Sequence, residues 1–384
     1  MKRVLHVLGE LRPSGAEAMM RLSAQRWREL GLQCDILSTG ATPGTFAAAL
    51  EEAGCRVVHL PFAKRYGFLK GFYSTVQRGR YDIIHLHTER ANFLYAVIAR
   101  CAGVNRVVST VHGVFQFHGW LRIERCLQRL VMRRIGVRFG MISPSVATNE
   151  WEHFRNHGPR IVNWFDDSQF GPPTIEQRNL ARLQFGLRPE EFVIVSIGNC
   201  ERVKNHAAII QALPLLEPGV SYKYLHVGFS GDTEGEEQLA SQLGVRNSVR
   251  FLGHVSAPVR CLWASDVFVM PSLREGFGIA AVEAVAAGCP TVLADVPGLC
   301  DLKVLGDGIF YTEPSPTHIA AAIMQVHRLS PGERCRHTRH LSEVVHRQFC
   351  INAGVRSVAL HLYQLPDPAQ TGAPEAECRV RGIS

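Results

Sequence analysis

Ala264-Ser265-Asp266-Val267-Phe268-Val269-Met270-Pro271-Ser272-Leu273-Arg274-Glu275-Gly276-Phe277-Gly278-Ile279-Ala280-Ala281-Val282-Glu283-Ala284 changes character twice. Val267–Pro271 is a short unbroken apolar run, the signature of a strand buried on both faces. A polar loop with two glycines follows, and a helix of small residues opens near Gly278. Strand, glycine loop and helix make the unit from which parallel sheets are built. The first N–H groups of the helix then face the space beyond the strand ends, a place suited to an anion. Glu275 stands just before this helix and Glu283 about two turns later. Carboxylates would repel a phosphate, but they suit the hydroxyls on either side of a diphosphate, as in a sugar-diphosphate-ribose. The plainer alternative is a pair of solvated glutamates favoured by the helix dipole.

The same alternation runs in both directions from this stretch. Val4–Leu8, Gln33–Leu37, Val57–Leu60, Ile83–Leu86, Val107–Val111 and Met141–Pro144 read as buried strands. Ala16–Leu30 and Asn92–Ala102 between them have helical spacing. Turn residues cluster at Phe170-Gly171-Pro172-Pro173, and the pattern restarts. Phe192–Ile197, Tyr222–Val227, Val249–Leu252, Val267–Pro271, Thr291–Ala294 and Gly308–Tyr311 supply a second set of strands. Two doubly wound α/β domains meeting at a cleft are expected, over 1–170 and 171–348. A C-terminal helix is expected over 349–365, crossing back to the N-terminal domain, and 366–384, rich in Pro, Ala and Glu, reads as a disordered tail.

The 384 residues exceed one ordinary core, and 46% hydrophobic with 20% charged residues describes a folded, water-soluble chain. No apolar run reaches the roughly 18 residues of a membrane span. Met1–Leu8 is cut short by Glu10 and Arg12, too soon for a secretory leader, so a cytoplasmic chain is expected, if not one peripheral on the inner membrane face. Eleven cysteines, an odd number at irregular spacings without any Cys-x-x-Cys, argue against a disulfide framework or structural zinc site and read as buried free thiols. The formal charge of +8 divides unevenly: residues 1–170 carry +10 and the remainder −2. The first half therefore expects an anionic neighbour. No nucleic-acid module is recognisable, and no nucleic-acid partner is expected.

Glu275 and Glu283, with the flanking Pro-Ser and Gly-Phe-Gly, resemble the Glu-x7-Glu signature of the retaining family 4 glycosyltransferases. Ala286-Ala287-Gly288-Cys289-Pro290-Thr291-Val292 is similar to that family's step into the next strand. The resemblance extends to about Leu365 and is most specific within 190–312. It implies an α/β chain of GT-B fold, with two Rossmann-like domains and transfer of a sugar with retained anomeric configuration. The nucleotide-sugar donor would lie on the C-terminal domain and the acceptor on the N-terminal one, with no metal or other cofactor. Ser196-Ile197-Gly198-Asn199-Cys200-Glu201-Arg202-Val203-Lys204-Asn205-His206 resembles the family's diphosphate loop. Lys204 takes the lysine position, Asn199 replaces the arginine, and Arg202 offers a substitute cation. Phe251-Leu252-Gly253-His254-Val255 is similar to the base-binding turn. The resemblance thus implies donor contacts from Gly15, Asn199, Arg202, Lys204, Gly253, His254, Val255, Glu275, Gly276, Phe277, Gly278, Ile279 and Glu283. Uridine is the expected base.

In the first half, Pro13-Ser14-Gly15-Ala16-Glu17 resembles the family's glycine loop, with Ser14 in place of its first glycine. Ser109-Thr110-Val111-His112-Gly113 matches the active-site histidine, which the family uses on a donor-sugar hydroxyl. The implied catalytic set is His112, Glu275 and Lys204. His85 and His87, two apart in a strand, share one face but lack an evident third metal ligand, and read as structural. Asn163-Trp164-Phe165-Asp166 resembles the family's hinge, with Trp164 where a glycine is usual. Gly119–Gly140 carries Arg122, Arg125, Arg129, Arg133, Arg134 and Arg138 among Leu121, Leu127, Leu130, Val131 and Ile135. It reads either as an ordinary amphipathic helix with a solvated arginine face or as a helix lying on anionic lipid. Lys64-Arg65-Tyr66-Gly67-Phe68-Leu69-Lys70 is a second basic-aromatic patch.

The reading is a hexosyltransferase for a cell-surface polysaccharide, glycolipid or glycosylated metabolite. Alternatives are a GT-B epimerase or phosphorylase, or a non-catalytic sugar-nucleotide-binding protein. A dinucleotide oxidoreductase using Gly276-x-Gly278-x-x-Ala281 and Asp295 is a further alternative. Residues alone decide neither the sugar nor the acceptor.

Overall fold

The computed structural model describes residues 1–228 and 233–366. The described residues divide into two compact units, Met1–Trp164 with 351–366, and Phe165–Cys350. In the first unit β1 (Lys2–Leu8), β2 (Leu32–Ser38), β3 (Arg56–His59), β4 (Ile83–Leu86), β5 (Arg106–Val111) and β6 (Arg138–Met141) form a parallel sheet. Its order is β3-β2-β1-β4-β5-β6. The sheet is covered on both faces, which is why β4 and most of β1, β2 and β5 are buried. The order reverses at β1, so the gap beyond the ends of β1 and β4 is a switch point where such sheets receive ligands.

The second unit repeats the plan. Here β7 (Phe192–Ile197), β8 (Tyr222–Val227), β9 (Val249–Gly253), β10 (Val267–Met270), β11 (Thr291–Ala294) and β12 (Ile309–Thr312) pair in the order β12-β11-β10-β7-β8-β9. Its core joins Ile194, Ile209, Tyr224, Val267, Val269, Val292 and Ile323.

Two expected elements are displaced. Met141–Pro144 is the end of β6 and the start of the helix Pro144–Phe154, with Pro144 in its first turn and Ser143 capping Val146 N at 3.2 Å. An apolar run that crosses a proline-initiated helix start looks continuous in sequence, but the proline marks the break. The stretch 349–365 is not one helix: Pro331–Phe349 ends, Cys350 is extended, Ile351–Ser357 restarts, and Val358–Leu362 is a π-turn. The last segment belongs to the first unit, where Tyr363 packs on Trp27. From residue 367 the expected disordered tail lies outside the described residues. Trp164 is buried and donates to Met19 O at 3.2 Å. A Cβ on Gly354 would stand 2.2 Å from its ring, so glycine there makes room for the tryptophan.

Not every cysteine is buried as expected: Cys101 and Cys335 are exposed free thiols. The helix Gly119–Arg134 departs further. Arg129 and Met132 face inward, while Trp120 (76%), Ile123 (51%), Leu127 (54%) and Leu130 (44%) are exposed. Arg122 and Arg134 are solvated as expected, but they share the outer face with the apolar residues, and Arg129 takes the buried position. Arg129 binds Glu150 through two hydrogen bonds of 2.7 and 2.8 Å and reaches Glu89 at 3.0 Å. An acidic pocket has taken an arginine into the interior and turned the leucines outward.

Candidate active site

In the second unit, three loops leave the C-terminal ends of β7, β9 and β10. After β10, Ser272 is fully buried and its hydroxyl donates to Glu275 Oε1 at 2.8 Å. Lys204, in the loop after β7, donates to the same oxygen at 2.7 Å. Backbone bonds hold the loops together: Leu273 N donates to Val203 O at 2.8 Å, and Asn205 Nδ2 to Pro271 O at 3.1 Å. Asn205 has a left-handed φ of 57°, a conformation asparagine tolerates. Glu275 N donates to Pro297 O at 3.1 Å. Gly298 follows with φ +90°, and a Cβ there would lie 2.2 Å from Glu275 O. The glycine thus allows the chain to press directly against the Glu275 loop.

Gly278 caps the helix Ile279–Ala286 with φ 81°. Its carbonyl accepts from Ala281 N and Val282 N, and the preceding N–H groups lack helical partners. Phe277 is buried against Phe349, ring centroids 5.2 Å apart, which anchors the loop. Gly276 and Ile279 are half-buried, and Asn199 and Arg202 are exposed beside half-buried Lys204. The turn Gly253-His254-Val255 follows β9, with Gly253 at φ +62° and its carbonyl accepting from Gly228 N at 2.9 Å. Glu283, half-buried on the helix, is pushed up to about 8 by burial and by the Asp166 carboxylate. At neutral pH it carries its proton.

Lys204 and Glu275 are thus brought into direct contact, which their separation in sequence did not suggest. Ser272 and Asn205 were missed as members of this group, and Asp166 as the neighbour of Glu283. The Pro-Ser dipeptide was visible beforehand, but nothing in it says that the hydroxyl turns back to Glu275.

In the first unit Gly15 is exposed at the start of the helix Gly15–Glu29, after Ser14, whose hydroxyl bonds Glu17. His112 follows β5 and is half-buried, its pKa lowered to about 4 by burial. It belongs to a cluster. His6 on β1 pairs in register with His85 on β4, so both rings lie on one face, and His87 follows. His6 is the third possible metal ligand that was not evident in sequence: ligand atoms of His6, His85 and His87 lie within 4.8 Å of one another. Both ring nitrogens of His85 are engaged, however, with Tyr363 OH and Thr110 Oγ1 at 2.7 Å each. A second group, Cys200, His226 and Glu236, is equally compact. There His226 Nδ1 is buried without a partner among the described residues, lacking among them the outer hydrogen bond that steadies a metal-bound imidazole.

Known proteins place this pair of units in a class. The family model for group 1 glycosyl transferases matches residues 177–340, and that for glycosyl transferase 4-like domains matches 14–151. The chain belongs to the family 4 glycosyltransferases and has the GT-B fold, two Rossmann-like domains. It is 29% identical to the putative glycosyltransferase EpsF of Bacillus subtilis, over 77% of this chain and 79% of that one. An Escherichia coli α-1,3-galactosyltransferase acting between UDP-Gal and α-D-GlcNAc-diphosphoundecaprenol is 28% identical, over 64% and 65%. The crystal structure of Anabaena HepE with UDP-glucose superimposes with a TM-score of 0.81, 20% identity, and coverage of 95% and 100%.

Proposed function

We propose that this glycosyltransferase moves a hexose, with retention, from a UDP-sugar to an acceptor hydroxyl in cell-surface polysaccharide, glycolipid or glycosylated metabolite synthesis. The observation that carries the reading is the node at Glu275 Oε1, where Lys204 and Ser272 meet beside a helix start that has no side-chain cap. A cation and free amides at one place stabilise a departing diphosphate, and that term usually dominates such a reaction. Lys204, with Arg202 and the N–H groups around Gly276, Phe277, Gly278 and Ile279, takes the diphosphate. Glu275 accepts from the sugar hydroxyls and Glu283 from the ribose. Gly253, His254 and Val255 border the base, while Asn199 and Gly15 line the phosphates. His112 hydrogen-bonds a sugar hydroxyl, as the family resemblance implies. The acceptor attacks from the leaving-group side and the phosphate takes its proton. Transfer needs no catalytic metal. UDP is favoured because HepE was crystallised with UDP and UDP-glucose and the E. coli relative uses UDP-Gal. Incubation with a panel of UDP-, GDP- and ADP-sugars should give hydrolysis or transfer with UDP-sugars foremost. Inertness towards every nucleotide sugar would refute the reading.

The exposed apolar face of the helix Gly119–Arg134 supports a peripheral contact with anionic membrane on the cytoplasmic side. Arg122 and Arg134 flank that face, and Lys64, Arg65 and Lys70 are exposed as well. Each basic residue near a charged bilayer contributes about 1 kcal/mol, and the leucines add apolar burial. Among the described residues no helix is long and apolar enough to cross a membrane. Co-sedimentation with phosphatidylglycerol vesicles should exceed that with phosphatidylcholine, and Leu127→Glu should abolish the difference. Equal recovery with both lipids would exclude the contact.

A further inference from the structure

Three imidazoles stand in a row across the C-terminal edge of the first sheet. His6 lies on β1, His87 follows β4 and His112 follows β5, and these strands are neighbours. His6 Nδ1 is 2.9 Å from His87 Nε2, and His87 Nδ1 is 2.9 Å from His112 Nε2. His85 stands outside the row and packs on His87, centroids 4.0 Å apart, holding that ring in place.

Burial keeps every ring uncharged near pH 7. It lowers His6 to about 3 and His112 to about 4, and takes His87 well below its ordinary value, with its neighbours adding to the effect. A neutral imidazole has one N–H and one lone pair. His87, bonded at both nitrogens, must therefore donate one bond and accept the other. The three protons are then ordered together, and only two arrangements are allowed. In the first, each proton sits on Nδ1, and His112 offers an N–H beyond the row. In the second, each sits on Nε2, and the His6 N–H points into the interior.

The two ends of the row differ. His6 is fully buried and its Nε2 has no partner among the described residues. A buried N–H without an acceptor is the rarest kind of unpaired group. The adjoining cavity, about 20 Å³, is lined by Ala16, Met19 and Met20 and also by Thr110, Asn163 and Trp27. The buried Trp27 Nε1–H, itself without an acceptor among the described residues, suits a bare His6 Nε2 on that side better than a second N–H. His112 is half-buried, so its outer nitrogen can meet solvent or ligand. We propose that His6 and His87 are positioning residues that hold His112 in its Nδ1–H form, so that it meets substrate as a hydrogen-bond donor and not as a base. The proposal rests on the reading of His112 given above and specifies its chemistry.

The test uses the full chain labelled with 15N-histidine. Long-range proton–nitrogen correlation spectra assign the proton on each ring, with His112→Gln identifying the resonances. Wild type should show a protonated Nδ1 and a bare Nε2 on His112. His87→Phe removes the donor facing Nε2, so the His112 proton should redistribute. In the transfer assay kcat should fall about tenfold with little change in donor KM. His87→Asn places an amide N–H where Nδ1 stood and should restore kcat to within about threefold of wild type. A proton on His112 Nε2 in wild type, or a tautomer unmoved by His87→Phe, overturns the proposal. If His87→Phe does not fold, the wild-type spectrum alone decides. Active transfer with the proton on Nε2 sinks the relay but spares the functional reading. The expected tautomer in a chain inert towards nucleotide sugars does the reverse.

Discussion

Replacing Glu275 with Gln should raise affinity for a bare nucleoside diphosphate while lowering turnover of the nucleotide sugar. The carboxylate is 2.7 Å from Lys204 Nζ. A phosphate oxygen bonded to the far side of that ammonium sits about 5.5 Å from Glu275 Oε1, two hydrogen-bond lengths in line. At that distance two unit charges repel by about 0.8 kcal/mol in bulk water and about 3 kcal/mol at an effective dielectric of 20. Removing the charge therefore strengthens diphosphate binding by between about fourfold and about 150-fold. Glu275 and Lys204 are half-buried, which favours the lower part of the range, about tenfold. The sugar, by contrast, loses a charge-assisted hydrogen bond of about 1.5–3 kcal/mol, so kcat should fall roughly 10- to 100-fold. Calorimetric titration with UDP measures the first effect, and steady-state transfer the second. UDP bound more weakly by the variant, or turnover within about twofold of wild type, would refute the assigned roles.

Two more outcomes follow from buried charge. Glu283, held near 8, carries about 0.9 of a proton at pH 7. Accepting ribose hydroxyls favours the ionised form, so donor binding should release protons at pH 7 and release fewer as pH rises past 8. Titration calorimetry in buffers of different ionisation enthalpy reads this, and no release at pH 7 would deny Glu283 that role. Arg129→Ala leaves the wholly buried Glu150 uncompensated, which should cost about 3–5 kcal/mol in urea unfolding. Arg129→Met with Glu150→Leu should recover most of the loss, and a double variant weaker than the single one would contradict the pairing.

Much of the architecture was legible in the residues themselves. Ile83–Leu86, Phe192–Ile197, Tyr222–Val227 and Thr291–Ala294 form strands with the expected bounds. A short apolar run between turn residues is local information, and burial on both faces of a parallel sheet reads it directly. The glycine loop opening into a small-residue helix was legible for the same reason. Tertiary structure decided which side chains meet. The contact of Lys204 with Glu275 depends on β7 and β10 being adjacent and on the two loops sharing backbone bonds. The histidine row likewise needs β1, β4 and β5 side by side in register. The helix Gly119–Arg134 is the plainest case: its spacing allowed either a core-facing or a lipid-facing leucine stripe, and the buried carboxylates of Glu150 and Glu89 decide that Arg129 points inward. Hydrophobic spacing states which face of a helix prefers burial, whereas the charge of the surface it packs on lies far away in the chain and appears only on folding.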